Sequence, residues 1–102
     1  MTPTERRYEL NSLLKNICSN VYYQPPENLK LNFPCIIYSL EGKDVRFADN
    51  GKYTKTRKYT VTVVEKNPDS DICENLEELP FCSFDRRYSS DNIYHTVYSL
   101  YY

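Results

Sequence analysis

An α+β fold with a mostly antiparallel sheet is predicted by three features of this sequence. Over 53–64, Tyr59, Val61 and Val63 alternate with Thr60, Thr62 and Val64, the period-two pattern of a strand rich in β-branched residues. Leu10, Leu13, Leu14, Ile17 and Cys18 fall on one helical face. Gly, Pro, Asn, Asp and Ser clusters then divide the remaining apolar runs into short segments. The predicted order is helix, strand, meander, helix and hairpin, with both helices packed on one face of the sheet.

The first helix opens at Thr2-Pro3-Thr4-Glu5: Thr2 caps, Pro3 takes the first helical position, and Glu5 reaches back in a capping box. Its apolar stripe is a docking face for a sheet, each large aliphatic contributing about 1.5–3 kcal/mol when buried. Residues 20–24 form a short strand closed by Pro25-Pro26, and 25–34 a loop in which Leu29, Leu31 and Phe33 alternate. Loops of this length are often functional, although a structural role is the more frequent one. Cys35, Ile36, Ile37 and Tyr38 form a continuous apolar run, which suits a central strand covered on both faces.

Glu41-Gly42-Lys43 is a predicted turn and 45–48 a short strand. Asn50-Gly51 follows, the dipeptide favoured where a two-residue hairpin needs positive φ twice, and it leads into the long strand from Tyr53. Asn67-Pro68 stops that strand, because proline lacks the N–H a ladder requires. A helix is expected over 69–79, capped by Asn67 or Asp69, with Pro68 in its first turn and Ile72, Leu76 and Leu79 buried. Strands over 81–88 and 93–101 flank the turn Ser89-Ser90-Asp91-Asn92, with Phe84 and Tyr88 on one face, and Ile93, Val97 and Tyr101 on one face of the partner. The last strand is expected to run to the end of the chain.

The 102 residues are read as a single domain, 1–102. Charged residues make up 26% and hydrophobic ones 40%, a globular composition rather than a disordered one. Thirteen basic and fourteen acidic side chains leave a net charge of -1, which argues against nucleic acid as the main ligand. No apolar run approaches the ~20 residues of a membrane span, and no secretory signal is visible. Cys18, Cys35, Cys73 and Cys82 lie in apolar segments without a CxxC pair, as expected of buried free thiols. Eleven tyrosines accompany no tryptophan; tyrosine suits both half-exposed strands and interfaces.

No constellation carries catalysis, and no cofactor or metal is expected. His95 is the single histidine and sits mid-strand, where a half-exposed structural role outweighs that of a general base. Asp69, Asp71 and Glu74 lack the glycine and distal glutamate of a calcium loop and are read as acids complementing a helix N-terminus. Two basic clusters, Lys55-Arg57-Lys58 and Arg86-Arg87, suit intersubunit salt bridges, DNA phosphates or a solvated strand edge.

The stretches NVYYQPPENLKLNFPCIIYSLEG, FADNGKYTKTRKYTV and TVTVVEKNPDSDI…LEELPFCSFDRRYSSDNIYHTVYSLYY together resemble the tail terminator, or tail-completion, proteins of tailed bacteriophages. The resemblance spans roughly residues 20–102 and leaves the first helix generic. It implies a tail-terminator-like α+β domain whose copies form a ring, expected to be a hexamer, on the completed tail tube. The implied partners are further copies of itself, the tail tube protein and the head-tail connector, with DNA only passing through the lumen and no membrane. The implied place is the head-proximal end of the virion tail, after assembly in the bacterial cytoplasm. The interface residues expected on this reading are Asp49, Asn50, Tyr53, Arg57, Arg86, Arg87, Ser90, Asp91 and Asn92, around the two predicted hairpin turns. A neck or stopper protein joining head to tail, and a small soluble regulator of a host protein, are the alternative readings.

Overall fold

The computed structural model describes residues 3–26, 28–47, 53–67, 70–80 and 82–102, with backbone alone at 3–4, 43–47 and 53–56. Helix α1 (Pro3–Ile17) is followed by β1 (Val21–Tyr23), β2 (Cys35–Phe47) and β3 (Tyr53–Glu65). Helix α2 (Ile72–Glu77), β4 (Cys82–Ser90) and β5 (Ile93–Tyr101) complete the chain. The α+β class is as expected, but the sheet is mixed and is not a simple meander: its order is β1-β2-β3-β5-β4, with β1 parallel to β2. A parallel pair cannot be joined by a tight turn and needs a connection of about a dozen residues. That requirement accounts for the long loop after β1. At its start Gln24 takes a left-handed φ of 43° and its Oε1 accepts from the Leu40 amide at 3.1 Å, prolonging the cover that β1 gives β2.

Register parity divides the sheet into two faces. Tyr59, Val61 and Val63 of β3 stand opposite Leu40, Tyr38 and Ile36 of β2, and opposite Leu100, Tyr98 and Thr96 of β5. Both helices dock on this face: Leu10 and Leu14 of α1 and Ile72 and Leu76 of α2 join it in one buried cluster. Leu13, expected in the α1 stripe, is instead 40% exposed, since it lies at the margin of the contact arc. Within the cluster Tyr38 is fully buried and its hydroxyl donates to Asn11 Oδ1 at 2.8 Å, which satisfies the phenol inside the core.

Several expected boundaries move. The predicted turn at Glu41-Gly42-Lys43 and separate strand at 45–48 are one continuous strand, β2, with a bulge that leaves Glu41 as the extra residue between Leu40 and Gly42. A bulge bends a strand without ending it, so Gly42 marks an irregularity and not a turn. Helix α2 begins at Ile72, later than expected, and the Ser70 hydroxyl accepts from the Ile72 amide at 3.2 Å. Asp71 holds the N-cap position without a side-chain bond. Thr2, Pro68, Asp69 and Phe81 lie outside the described residues.

A second bulge in β4 leaves Asp85 unpaired between Phe84, opposite Tyr98, and Arg86, opposite Val97. Phe84 therefore lies on the helix-bearing face and Tyr88, opposite His95, on the other; the expectation of one shared face fails because one extra residue inverts the alternation. The terminal turn is Asp91-Asn92 alone, at φ 53° and 63°, since Ser89 and Ser90 remain paired in β4. Short polar side chains tolerate this left-handed conformation, and it matches the twist of a two-residue hairpin.

Leu14→Ala is expected to lower the unfolding free energy by about 2–5 kcal/mol through loss of burial and the cavity left behind. Tyr38→Phe is expected to cost about 1 kcal/mol, because Asn11 loses its donor. Urea denaturation followed by far-UV circular dichroism measures both.

Candidate assembly surface

The features with surface to offer are strand edges. On one side of the hairpin β1 covers β2 from Val21↔Ile36 to Tyr23↔Tyr38, and on the other β5 covers β3 from Lys58 to Glu65. The Tyr102 and Arg57 backbones exchange two further bonds of 3.0 and 3.1 Å. Past these points β2 and β3 pair only with each other, from Asp44↔Thr56 to Phe47↔Tyr53, among the described residues. The result is a two-stranded ribbon that extends past the cover of β1 and β5.

The base of the ribbon is tied by charge. Glu41, the bulged residue, accepts from the Thr60 hydroxyl at 2.7 Å and faces Lys58 Nζ at 3.5 Å. The Thr60 bond, with Lys58 adding to it, holds the Glu41 carboxyl below its ordinary range. A depressed carboxylate stabilises the fold above its unfolded value of roughly 4.3 and loses that contribution as pH falls through the lower folded value. The side chain is half exposed, so solvent screens the effect and it is small.

The opposite edge of the sheet is β4. All of its residues from Ser83 to Ser90 are exposed, including Phe84 at 57% and Tyr88 at 47%. Phe84 meets Tyr98 edge-on with centroids 5.9 Å apart, whereas Tyr88 lies flat on His95 at 4.7 Å. His95 is half-buried and its Nδ1 has no hydrogen-bond partner among the described residues. Next to β4 on the helix-bearing face lies α2, whose segment bears the exposed acids Asp71, Glu74, Glu77 and Glu78.

The expected interface residues do not form one patch. Asp49 and Asn50 lie outside the described residues, and Tyr53 opens β3 at the end of the ribbon. Arg57 is half-buried at the ribbon base. Arg86 is exposed and pairs with Asp85 at 3.1 Å; Arg87 lies over the Tyr94 ring at 5.3 Å. Ser90, Asp91 and Asn92 are exposed at the far end of the sheet, because β5 runs from that turn past Glu65 toward Lys58. The Phe47↔Tyr53 end of the ribbon and the Asp91-Asn92 turn thus lie toward opposite ends of the sheet. Glu77 and Glu78 carry no signal of their own in the sequence, Asp71 and Glu74 read there as helix-terminal acids, and Phe84 is expected to share a face with Tyr88 because a bulge has no distinct sequence pattern.

The thiols of Cys35, Cys73 and Cys82 are displaced away from the thiolate. Burial, reinforced by Cys18, pushes Cys35 up to about 11, and burial with the nearby Glu77 carboxylate pushes Cys82 up to about 11. Burial also raises Cys73, whose thiol donates to Glu65 Oε1 at 3.7 Å. A nucleophilic cysteine requires the opposite displacement. Among the described residues no cluster of metal-ligating side chains forms, and no helix is long and apolar enough to cross a membrane. A cleft of about 250 Å³ lined by Phe33, Pro34, Glu65, Lys66, Asn67 and Ser70 lies below the usual range for small-molecule sites, ~300–1,000 Å³.

No protein-family model matches this chain. A search of curated proteins finds no significant match either.

At pH 8 the thiolate fractions of Cys35 and Cys82 are expected to be roughly 100-fold below that of an ordinary thiol. Iodoacetamide alkylation of the native protein, mapped by mass spectrometry, is expected to be slow at both and fast after unfolding.

Proposed function

We propose that this protein is a structural component of a tailed bacteriophage that forms a ring, a hexamer on this reading, at the head-proximal end of the tail tube. The ring halts polymerisation of the tube protein and offers its outer surface to the head-tail connector, while DNA passes through the lumen. The observation that carries the reading is the projecting β2–β3 ribbon opposite an exposed β4 edge: two unlike surfaces on one subunit. Unlike surfaces join copies head to tail, and such contacts close into rings when the rotation between copies permits. The resemblance over roughly residues 20–102 supports the tail assignment.

The geometry also suits a stop signal. A terminator must bind the growing end of the tube on one side and offer no equivalent surface on the other. The ribbon and the Asp91-Asn92 turn lie toward opposite ends of the sheet, so a ring of aligned subunits has two unlike rims. The tube contact falls at one rim and the connector contact at the other. The mixed, near-neutral surface is consistent with protein contacts on both rims.

Deleting the reading frame from its phage is expected to yield overlong tails without heads, measured by negative-stain microscopy. Headless tails of normal length would assign the chain to the neck, and normal tails on filled heads would reject a role in tail completion.

A further inference from the structure

The ribbon and the β4 edge are complementary in both hydrogen bonding and charge. Beyond its base at Glu41, Arg57 and Lys58, the strands of the ribbon, 43–47 and 53–56, contain the acid Asp44 and the bases Lys43, Arg46 and Lys55, a net charge of +2. The α2 segment, 71–78, contains the acids Asp71, Glu74, Glu77 and Glu78 and no base, and β4 adds Asp85, Arg86 and Arg87. Together the α2 segment and β4 carry a net charge of -3. Within one molecule the two surfaces lie at separate places: the ribbon leaves the sheet beyond Lys58, whereas α2 packs against β4 and reaches Glu65 through Cys73.

Each surface has backbone groups to satisfy. The outer side of β4 has no strand partner among the described residues over nine residues, and neither do the two outer sides of the ribbon. A two-stranded ribbon without further cover is marginal in water. Exposed edges also invite addition of a strand from another chain. Pairing of β4 with β4 of a second copy is the disfavoured use of this edge, because the Asp85 bulge bends it and Arg86 and Arg87 of the two copies would approach each other.

We propose that the β2–β3 ribbon of one copy adds to the β4 edge of a second copy, with the ribbon's basic charge facing the α2 acids and Phe84 covered by the contact. The inference rests on the self-association that the ring reading requires and adds where the contact lies. Phe84 supplies an exposed apolar side chain at the edge, and α2, which packs against β4, carries the exposed acids Glu74, Glu77 and Glu78 beside it in the fold. Because donor and acceptor surfaces differ, every copy retains a free ribbon and a free edge until the assembly closes. Attraction between exposed charges falls off over a Debye length of about 8 Å at physiological salt, so assembly weakens as salt rises.

Sedimentation velocity of the purified full chain tests the contact with two charge-reversal variants, Arg46→Glu/Lys55→Glu on the ribbon and Glu77→Lys/Glu78→Lys on α2. Circular dichroism melts establish that each is folded. Wild type is expected to assemble beyond a dimer at low salt, each variant alone to lose at least about tenfold in association, and an equimolar mixture of the two to recover it. Assembly of both variants at wild-type strength would overturn this contact while leaving self-association intact. Lack of recovery in the mixture would overturn the charge pairing, and a wild type that stays monomeric at all concentrations would overturn the contact outright. The tail-length measurement is independent of all three results.

Discussion

Both halves of the sheet depend on β3 being paired along both of its edges. From Tyr59 to Val64 it is bonded to β2 on one side and β5 on the other, and Tyr59, Val61, Val63 and Val64 are almost fully buried. The same alternation that places Tyr59, Val61 and Val63 under the helices places Thr60, Thr62 and Val64 on the opposite face. A slip of one residue in either ladder would present threonines to Leu14 and Leu76 and strand the tyrosine ring of residue 59 in solvent. Register is therefore specified strongly here and more weakly beyond Lys58, where the ribbon leaves the shared core.

Tyrosine has a different role from that suggested by its abundance. Tyr38, Tyr59 and Tyr98 are buried to 1% or less and form the middle of the helix-bearing face, Tyr38 meeting Tyr23 at 4.8 Å and Tyr59 at 5.9 Å. Burial, followed by the Cys73 contact, raises Tyr98 above the ordinary phenol range, so it stays neutral. At the chain end, the Tyr102 hydroxyl donates to Glu9 Oε2 at 3.0 Å, which joins the last residue to the first helix. A core made with phenols needs a partner for each hydroxyl. Placing those partners on α1 and α2 makes helix position depend on hydrogen bonds as well as on apolar contact.

Polar strain accumulates where β3 ends. Glu65 is 1% exposed, with Oε1 taking the Cys73 thiol and Oε2 without a hydrogen-bond partner among the described residues, and Thr96 Oγ1 is similarly placed. Burying such groups incompletely satisfied is costly. They lie under the short helix α2, on the side of the molecule that bears the acidic surface, so that side has less purely apolar support than the α1 side.

Local periodicity was enough to place α1, the faces of β3 and the strands of the terminal hairpin, because 3.6-residue and two-residue repeats are written in adjacent positions. It was also enough to mark Asp91 and Asn92 as turn residues. Strand order was not legible, since alternating apolar strands of similar composition admit several pairings and the choice depends on contacts between distant segments. The bulges at Glu41 and Asp85 were hidden for the same reason: an extra residue is defined only against the partner strand. With them went the faces of Phe84 and Tyr88 and the continuity of β2. Of the candidate surface, the sequence marks the basic residues at the ribbon base and on β4, whereas Asp71 and Glu74 of its acidic part read there as helix-terminal charge. Only the tertiary arrangement brought α2 beside the β4 edge and left the ribbon uncovered, because that juxtaposition follows from docking β5, rather than β4, against β3.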